Sequence, residues 1–320
     1  MNLLLICGMY DYAGGKILLS QGINKHTEHN SRCLVGKEWY MDYEKDILLK
    51  ENNENIEKLA EEADIFVFFL KDYSYPFGSI NWMDYIDGKK VLYNPQGGQI
   101  VNTEMIREVE KGTLTDKYMG TNTKIFIFHV DQPRFPIEEW MPVYLPIWDS
   151  DFLPGEKNFS GSLIIGQSPS APERKDAVEF ELIVKELQKE GYDIILDIVT
   201  GVKNKECLSR KRKWHIAFDN FQDNHNGKSG WESLSMGIPT FASLNYVEEN
   251  YLEDWGNGFQ PFLKVENAEE LKLGILKFYN DRAFLVHKSL IARRWMEEYN
   301  SPKRILDRFF QIVKQADIFA

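Results

Sequence analysis

The residues best placed to do chemistry lie between His215 and Pro239. The stretch is apolar to about Asp219, turns polar around Gly227 and Gly230, regains apolar residues, and stops at Gly237-Ile238-Pro239. That pattern reads as a strand, a loop, and a helix from near Ser229 to Met236, with Gly237 just past its end. Lys228, Ser229 and the two loop glycines stand at the helix entrance. Glycines there let the backbone come close to a ligand. The first helical turn presents unpaired N–H groups and a positive partial charge. Such an arrangement holds a diphosphate at the carboxyl edge of a parallel sheet. Glu232, one turn in, has two readings on spacing alone. It accepts hydrogen bonds from ribose hydroxyls, or it complements the helix dipole.

Elements that would position these residues alternate along the whole chain. Strand patterns fall at Leu3–Cys7, Arg32–Val35, Asp64–Leu70, Lys90–Tyr93 and Lys124–His129. Helical patterns fall at Lys16–Lys25, Glu54–Glu62 and Thr103–Lys111. The run Asp64–Leu70 is almost continuously apolar, as a strand buried on both faces would be. Trp148–Gly161 then breaks the periodicity with Pro154, Gly155 and a run of polar residues. Beyond it the alternation restarts with strands at Ser162–Ile165, Asp193–Ile198, His215–Phe218 and Pro239–Ala242. Its helices fall at Arg174–Glu190, with apolar positions Val178, Leu182, Val184 and Leu187, then at Lys203–Lys211 and Ala268–Tyr279. The tail from Arg282 is one or two helices, interrupted near Ser301-Pro302. Alternation of this kind implies an α/β fold with parallel sheets and crossover helices. We expect two Rossmann-like domains, 1–150 and 151–300, and a C-terminal helical segment, 301–320, packing back on the first.

Composition narrows the function classes. The 320 residues carry a net charge of -11, which argues against general nucleic-acid or anionic-membrane binding. Hydrophobic residues make up 43%, enough for two cores. Cys7, Cys33 and Cys207 are odd in number and fit no zinc spacing, so they read as free thiols in a reducing compartment. No apolar run approaches the roughly 18 residues of a membrane span, and the N-terminus lacks a basic leader. The expected location is cytoplasmic, with peripheral attachment to a membrane left open. Arg210-Lys211-Arg212-Lys213 reads as a solvated helix end. Asp149-Ser150-Asp151 has metal-ligand spacing but lies in the interdomain linker, so no metal site is expected there.

Glu232-Ser233-Leu234-Ser235-Met236-Gly237-Ile238-Pro239, behind a glycine-containing loop, resembles glycosyltransferases of the GT-B fold, especially those grouped with family 4. The resemblance implies two Rossmann-like domains with parallel sheets facing across a cleft. It implies a sugar-nucleotide donor, a UDP- or GDP-sugar, and transfer to an acceptor hydroxyl with retention of configuration and without a metal or other cofactor. The family glutamate contacts the donor ribose, a role that falls on Glu232. Many members carry a second glutamate eight positions earlier, where this chain has Asn224. The family also sets a basic pair on the donor phosphates, an arginine and the lysine of a Lys-Gly step. The segment Ile164-Ile165-Gly166-Gln167-Ser168 followed by Arg174-Lys175-Asp176 is similar to that region. Lys175 then takes the lysine's place, with Asp176 instead of glycine, and Arg174 substitutes for the arginine. The segment from Ile198 to Leu208 resembles the following strand and the helix that packs beneath the nucleotide base.

In the first domain the likeness is thinner. Gly14 and Gly15 match a glycine-rich loop that faces the donor diphosphate. Asn94-Pro95-Gln96-Gly97-Gly98 is similar to a His-Gly-Gly loop, with Gln96 where histidine is common. Gln96, Gly97 and His129 are the acceptor-side candidates, although an ordinary structural role fits His129 as well. Two rival functions remain on the sequence. One is a GT-B-like sugar-nucleotide epimerase or phosphorylase; the other is a non-catalytic nucleotide-sugar binder, which the Asn224 departure would suit.

Overall fold

A computed structural model describes residues 1–8, 10–11, 14–49, 53–69, 80–94, 124–127, 141–142, 147–148, 152–221, 227–244 and 261–316. The chain divides into two compact units, Met1–Pro146 with Pro302–Ala320, and Ile147–Ser301. The expected helix at Thr103–Lys111 lies outside the described residues.

The first unit is built on a seven-stranded parallel sheet. Its elements are β1 (Asn2–Ile6), α1 (Gly15–His26), β2 (Asn30–Val35), β3 (Ile47–Leu48), α2 (Asn53–Glu62), β4 (Ile65–Phe68), α3 (Met83–Ile86), β5 (Lys90–Tyr93), β6 (Lys124–Ile127) and β7 (Met141–Pro142). The strand order is β3-β2-β1-β4-β5-β6-β7. β1 sits between β2 and β4, with Leu3 opposite both Ser31 and Ile65. All four residues of β4 are buried, as a strand covered on both faces requires. On one face Leu4, Ile6, Phe66, Phe68, Val91 and Tyr93 form a core with Ile56 and Ala60 of α2. The C-terminal helix Pro302–Gln315 belongs to this unit. Pro302 opens it, where a missing N–H costs nothing. It buries Ile305, Leu306, Phe309, Ile312 and Val313, one stripe at helical spacing. Lys90 Nζ donates to its Val313 carbonyl at 3.0 Å. Cys7 and Cys33 are buried free thiols whose sulfurs lie 3.2 Å apart between β1 and β2.

The second unit has a five-stranded parallel sheet in the order β12-β11-β10-β8-β9. Its elements are β8 (Leu163–Gln167), α4 (Ala177–Lys189), β9 (Ile194–Ile198), α5 (Asn204–Lys211), β10 (Ile216–Phe218), α6 (Lys228–Ser235), β11 (Thr240–Ala242), β12 (Leu263–Lys264), α7 (Ala268–Asn280) and α8 (Arg282–Tyr299). Gly166 in β8 is a packing requirement, because a Cβ there would lie 2.0 Å from the buried Trp214 ring. The expected helix from Arg174 begins later: Pro172–Arg174 is a single 3₁₀ turn and α4 starts at Ala177. Its buried stripe also differs from the expected one. Val178 and Leu182 are 69% and 63% exposed, and the core takes Phe180, Ile183, Val184 and Leu187. Those four follow i, i+3, i+4, i+7, whereas Leu182 and Val184 sit two apart and cannot share a face.

Candidate functional site

In each sheet the strand order reverses beside the unit's first strand. In the first unit this happens between β1 and β4, and in the second between β8 and β10. Ligands of open α/β sheets bind outside the carboxyl ends of the strands at such a reversal.

In the second unit the chain leaves β8 at Ser168 and β10 at Asp219. Gln167, 1% exposed, ties the two exits together. Its Nε2 donates to the Lys175 carbonyl at 2.5 Å and to the Asp219 carbonyl at 3.0 Å. Lys175 Nζ lies 3.9 Å from Asp219 Oδ1. The other Asp219 oxygen accepts the Gly227 amide, just before α6. A Cβ at Gly227 would stand 3.4 Å from Lys175 Nζ, so this bare backbone is close to the ammonium. The expected assembly of Lys175, Gly227, Lys228, Ser229, Gly230 and Glu232 is therefore brought together around the first turns of α6. Arg174 ends the 3₁₀ turn beside them.

Glu232 is buried at 5% exposure and meets two lysines. Oε2 accepts from Lys211 Nζ at 2.8 Å, and Oε1 lies 3.4 Å from Lys228 Nζ. Burial pushes its carboxyl up, but Lys211 and Lys228 outweigh burial and hold it below the ordinary glutamate range. Lys211 corrects the expectation of a solvated basic run. It is 0% exposed, and it also donates to Ser229 O at 3.2 Å and Ser229 Oγ at 3.1 Å. Ser229 Oγ in turn lies 2.6 Å from Ser168 Oγ. Arg210, its neighbour, pairs with Asp197, which also accepts from Trp214 Nε1 at 2.7 Å. The sequence signal for Lys228 was its place at the helix entrance between Gly227 and Gly230. Lys211 gave none, since its partner lies across β10.

The far end of α6 is fixed as firmly. Gly237 has φ 63, and its amide bonds Leu234 O at 2.9 Å while Ile238 N bonds Ser233 O at 2.9 Å. This is the Schellman arrangement that a glycine after the helix permits. Lys157 Nζ donates to Met236 O and Gly237 O, and Arg293 Nη1 to Ser235 O at 2.7 Å. Burial lowers Lys157 to about 8. Cations at this end complement the helix dipole, while the opposite, positive end of α6 lies beside Asp219 and Lys175 at the exits of β10 and β8.

In the first unit the helix that follows the reversal strand β1 is α1, with Gly14 as its N-cap at φ 65. Asp11 occupies its mouth: Oδ2 accepts the Lys16 amide at 3.1 Å and the Ile17 amide at 2.9 Å. Lys16 Nζ lies 3.6 Å from Asp11, and both side chains are buried. A Cβ at Gly14 would strike the Tyr43 ring at 2.6 Å, whereas Gly15 has open space at that position. Gln96, Gly97, His129, Asn224 and Asp149-Ser150-Asp151 lie outside the described residues. Among the described residues no group of three or more His, Cys, Asp or Glu side chains could hold a metal ion. No helix among them is long and apolar enough to cross a membrane.

No known family model and no curated protein matches the sequence. Solved structures do match the fold. A glycosyltransferase from Rickettsia africae ESF-5 superposes with a TM-score of 0.65 at 12% identity, over 98% of both chains. An α-glucosyltransferase in complex with UDP and a mismatched 13-mer DNA gives 0.64 at 11% identity, over 98% of this chain and 99% of that one. WaaG, a glycosyltransferase of lipopolysaccharide biosynthesis, gives 0.53 at 11% identity, over the whole of both chains. The chain has the GT-B fold, two parallel-sheet α/β units in series. Identity this low speaks to the fold alone.

Proposed function

We propose that the protein is a glycosyltransferase that uses a nucleotide sugar, a UDP- or GDP-sugar, and retains the donor's anomeric configuration, as family 4 enzymes mostly do. One observation carries the reading. At the switch point of the second unit, three lysine ammoniums, two carboxylates and a helix N-terminus form one contact network. The first turn of α6 contains no acidic residue. Positive partial charge and lysines converging on a glycine-lined backbone suit a diphosphate. GT-B neighbours that are glycosyltransferases, one of them bound to UDP, support the same reading.

In this scheme the bond from sugar C1 to the diphosphate breaks and the acceptor oxygen bonds C1, its proton leaving with the diphosphate. Lys175 and Arg174 stabilise the charge that develops on the departing group, together with backbone N–H groups of the Gly227–Gly230 segment. Glu232 is kept ionised by its lysines, so it accepts from ribose hydroxyls rather than supplying a proton. No metal is needed, because lysines and the helix terminus take the cation's part. The acceptor is bound by the first unit, where Gln96, Gly97 and His129 are the candidates from sequence. The reading places the protein in the cytoplasm.

The test is a thermal-shift panel of UDP, GDP and ADP with their sugars, followed by assay of nucleoside diphosphate release with candidate acceptors. A ligand at about 100 times its Kd stabilises by about 2.7 kcal/mol. No shift with any of them would end the proposal. A shift without acceptor-dependent release in the presence of chelator would leave a binder or a metal enzyme instead.

A further inference from the structure

Among the described residues of the second unit Lys211 is the most thoroughly buried charge, and the transfer scheme gives it no part beyond helping to keep Glu232 ionised. A buried ammonium is tolerated only when every donor is satisfied. Here the three N–H groups have three acceptors: Ser229 O, Ser229 Oγ and Glu232 Oε2. The Trp214 ring lies 5.8 Å from the same ammonium. Lys211 also ends α5, where the helix dipole favours a cation. The side chain is thus anchored from α5 and pins the start of α6 at two residues, Ser229 in its first turn and Glu232 one turn in.

We infer that Lys211 is the positioning residue of the ribose contact, and that it makes Glu232 a one-oxygen ligand. The inference rests on the proposed role of Glu232. Oε2 is held by a fully buried ammonium at 2.8 Å, whereas Oε1 has the longer contact to Lys228 at 3.4 Å, so Oε1 is the oxygen freer to turn toward a ligand. A carboxylate offering both oxygens would grip two neighbouring hydroxyls about equally. A carboxylate pinned through one oxygen favours one hydroxyl over the other. Lys211 also keeps the group charged, since burial alone pushes the Glu232 carboxyl upward.

The experiment compares UDP with 2′-deoxy-UDP and 3′-deoxy-UDP by calorimetry at pH 6 and 8, with GDP and ADP and their deoxy forms in reserve. Wild type should bind one deoxy form about tenfold more weakly and the other nearly as well as the parent, alike at both pH values. In Lys211→Gln that ratio should fall toward one at both pH values, because the released carboxylate offers both oxygens. In Glu232→Gln it should be lost at both. A purely structural Lys211 would weaken parent and deoxy forms alike and leave the ratio unchanged, and that result overturns the inference. Equal weakening of both deoxy forms in wild type overturns it too, and does so even if Lys211→Gln fails to fold. Failure of every nucleoside diphosphate to bind wild type overturns the glycosyltransferase reading, and this inference with it. Binding without the Lys211 effect removes the inference alone.

Discussion

The mouths of α1 and α6 both follow strands that flank the order reversal of their sheets, α1 after the first strand of its unit and α6 after the third, and both are furnished with lysine, aspartate and glycine. At α1 the aspartate faces inward. Asp11 takes the amides of Lys16 and Ile17, which a helix otherwise leaves for a ligand, and the single lysine pairs with it under cover. At α6 the aspartate stands one step outside the helix and takes the Gly227 amide. The amides of the first turn proper lie beyond it, with Lys175, Lys211 and Lys228 around them. The same residue types therefore cap one helix at the amides of its first turn and, at the other, take the amide one residue before the helix. On the proposed function, that shift in where the carboxylate enters separates a helix held for stability from one that receives an anion.

The largest effect expected from this contrast is on nucleotide affinity. Lys175→Ala should cost about 1.5–3 kcal/mol of UDP binding, the worth of a charge-assisted hydrogen bond. Lys16→Ala, at the α1 mouth, should cost none. Titration calorimetry on both variants reads the difference directly. Equal losses would mean that the α1 mouth shares the diphosphate, and the contrast would collapse.

A smaller effect should appear in stability. Asp11→Ala removes an N-terminal cap, typically about 1 kcal/mol and up to about 2 kcal/mol. It should lower the urea midpoint and leave UDP affinity alone. Asp219→Ala should change both, because its carboxylate joins the Gly227 amide to Lys175. A midpoint unmoved by Asp11→Ala would show that the cap is dispensable and that α1 is held by its buried face.

How much of this was legible in the sequence depends on how far apart the partners are. The α6 segment could be read because its signals are local: Gly227 and Gly230 before it, Gly237 after it, Glu232 one turn in. The sheets could be read because strand and helix periods alternate. Lys211 could not, since its partner lies across a strand and nothing local distinguishes it from Arg210 or Lys213. The α4 stripe was misphased because Val178 and Leu182 are themselves four apart, a helical spacing that competes with the true one. They remain exposed because the sheet takes the face defined by Phe180 and Leu187. Both carboxylate caps were missed for the reason that hid Lys211, as which loop aspartate turns back on a helix is set by the loop's path.

The smallest effect sharpens the α6 mouth itself. Asp176 follows Lys175 where the resembling family has glycine, and its φ of 54 and ψ of 30 are left-handed. An L-residue there is strained by roughly 1 kcal/mol, less for aspartate than for most. The strain is offset because Asp176 Oδ2 accepts the Phe221 amide at 2.6 Å, joining the loop after β8 to the loop after β10. Asp176→Gly relieves the backbone and loses the bond, so the two changes nearly cancel and the net cost should be about 1 kcal/mol or less. Asp176→Ala loses the bond and keeps the strain, so it should be less stable than the glycine variant by about 1 kcal/mol. Urea unfolding of the two variants side by side measures that gap. If glycine and alanine prove equal, the backbone at 176 is not left-handed in solution, and the family glycine would owe its place to something other than φ. If glycine is the more stable but UDP binds no differently, Asp176 is a brace for the mouth and not one of its charges.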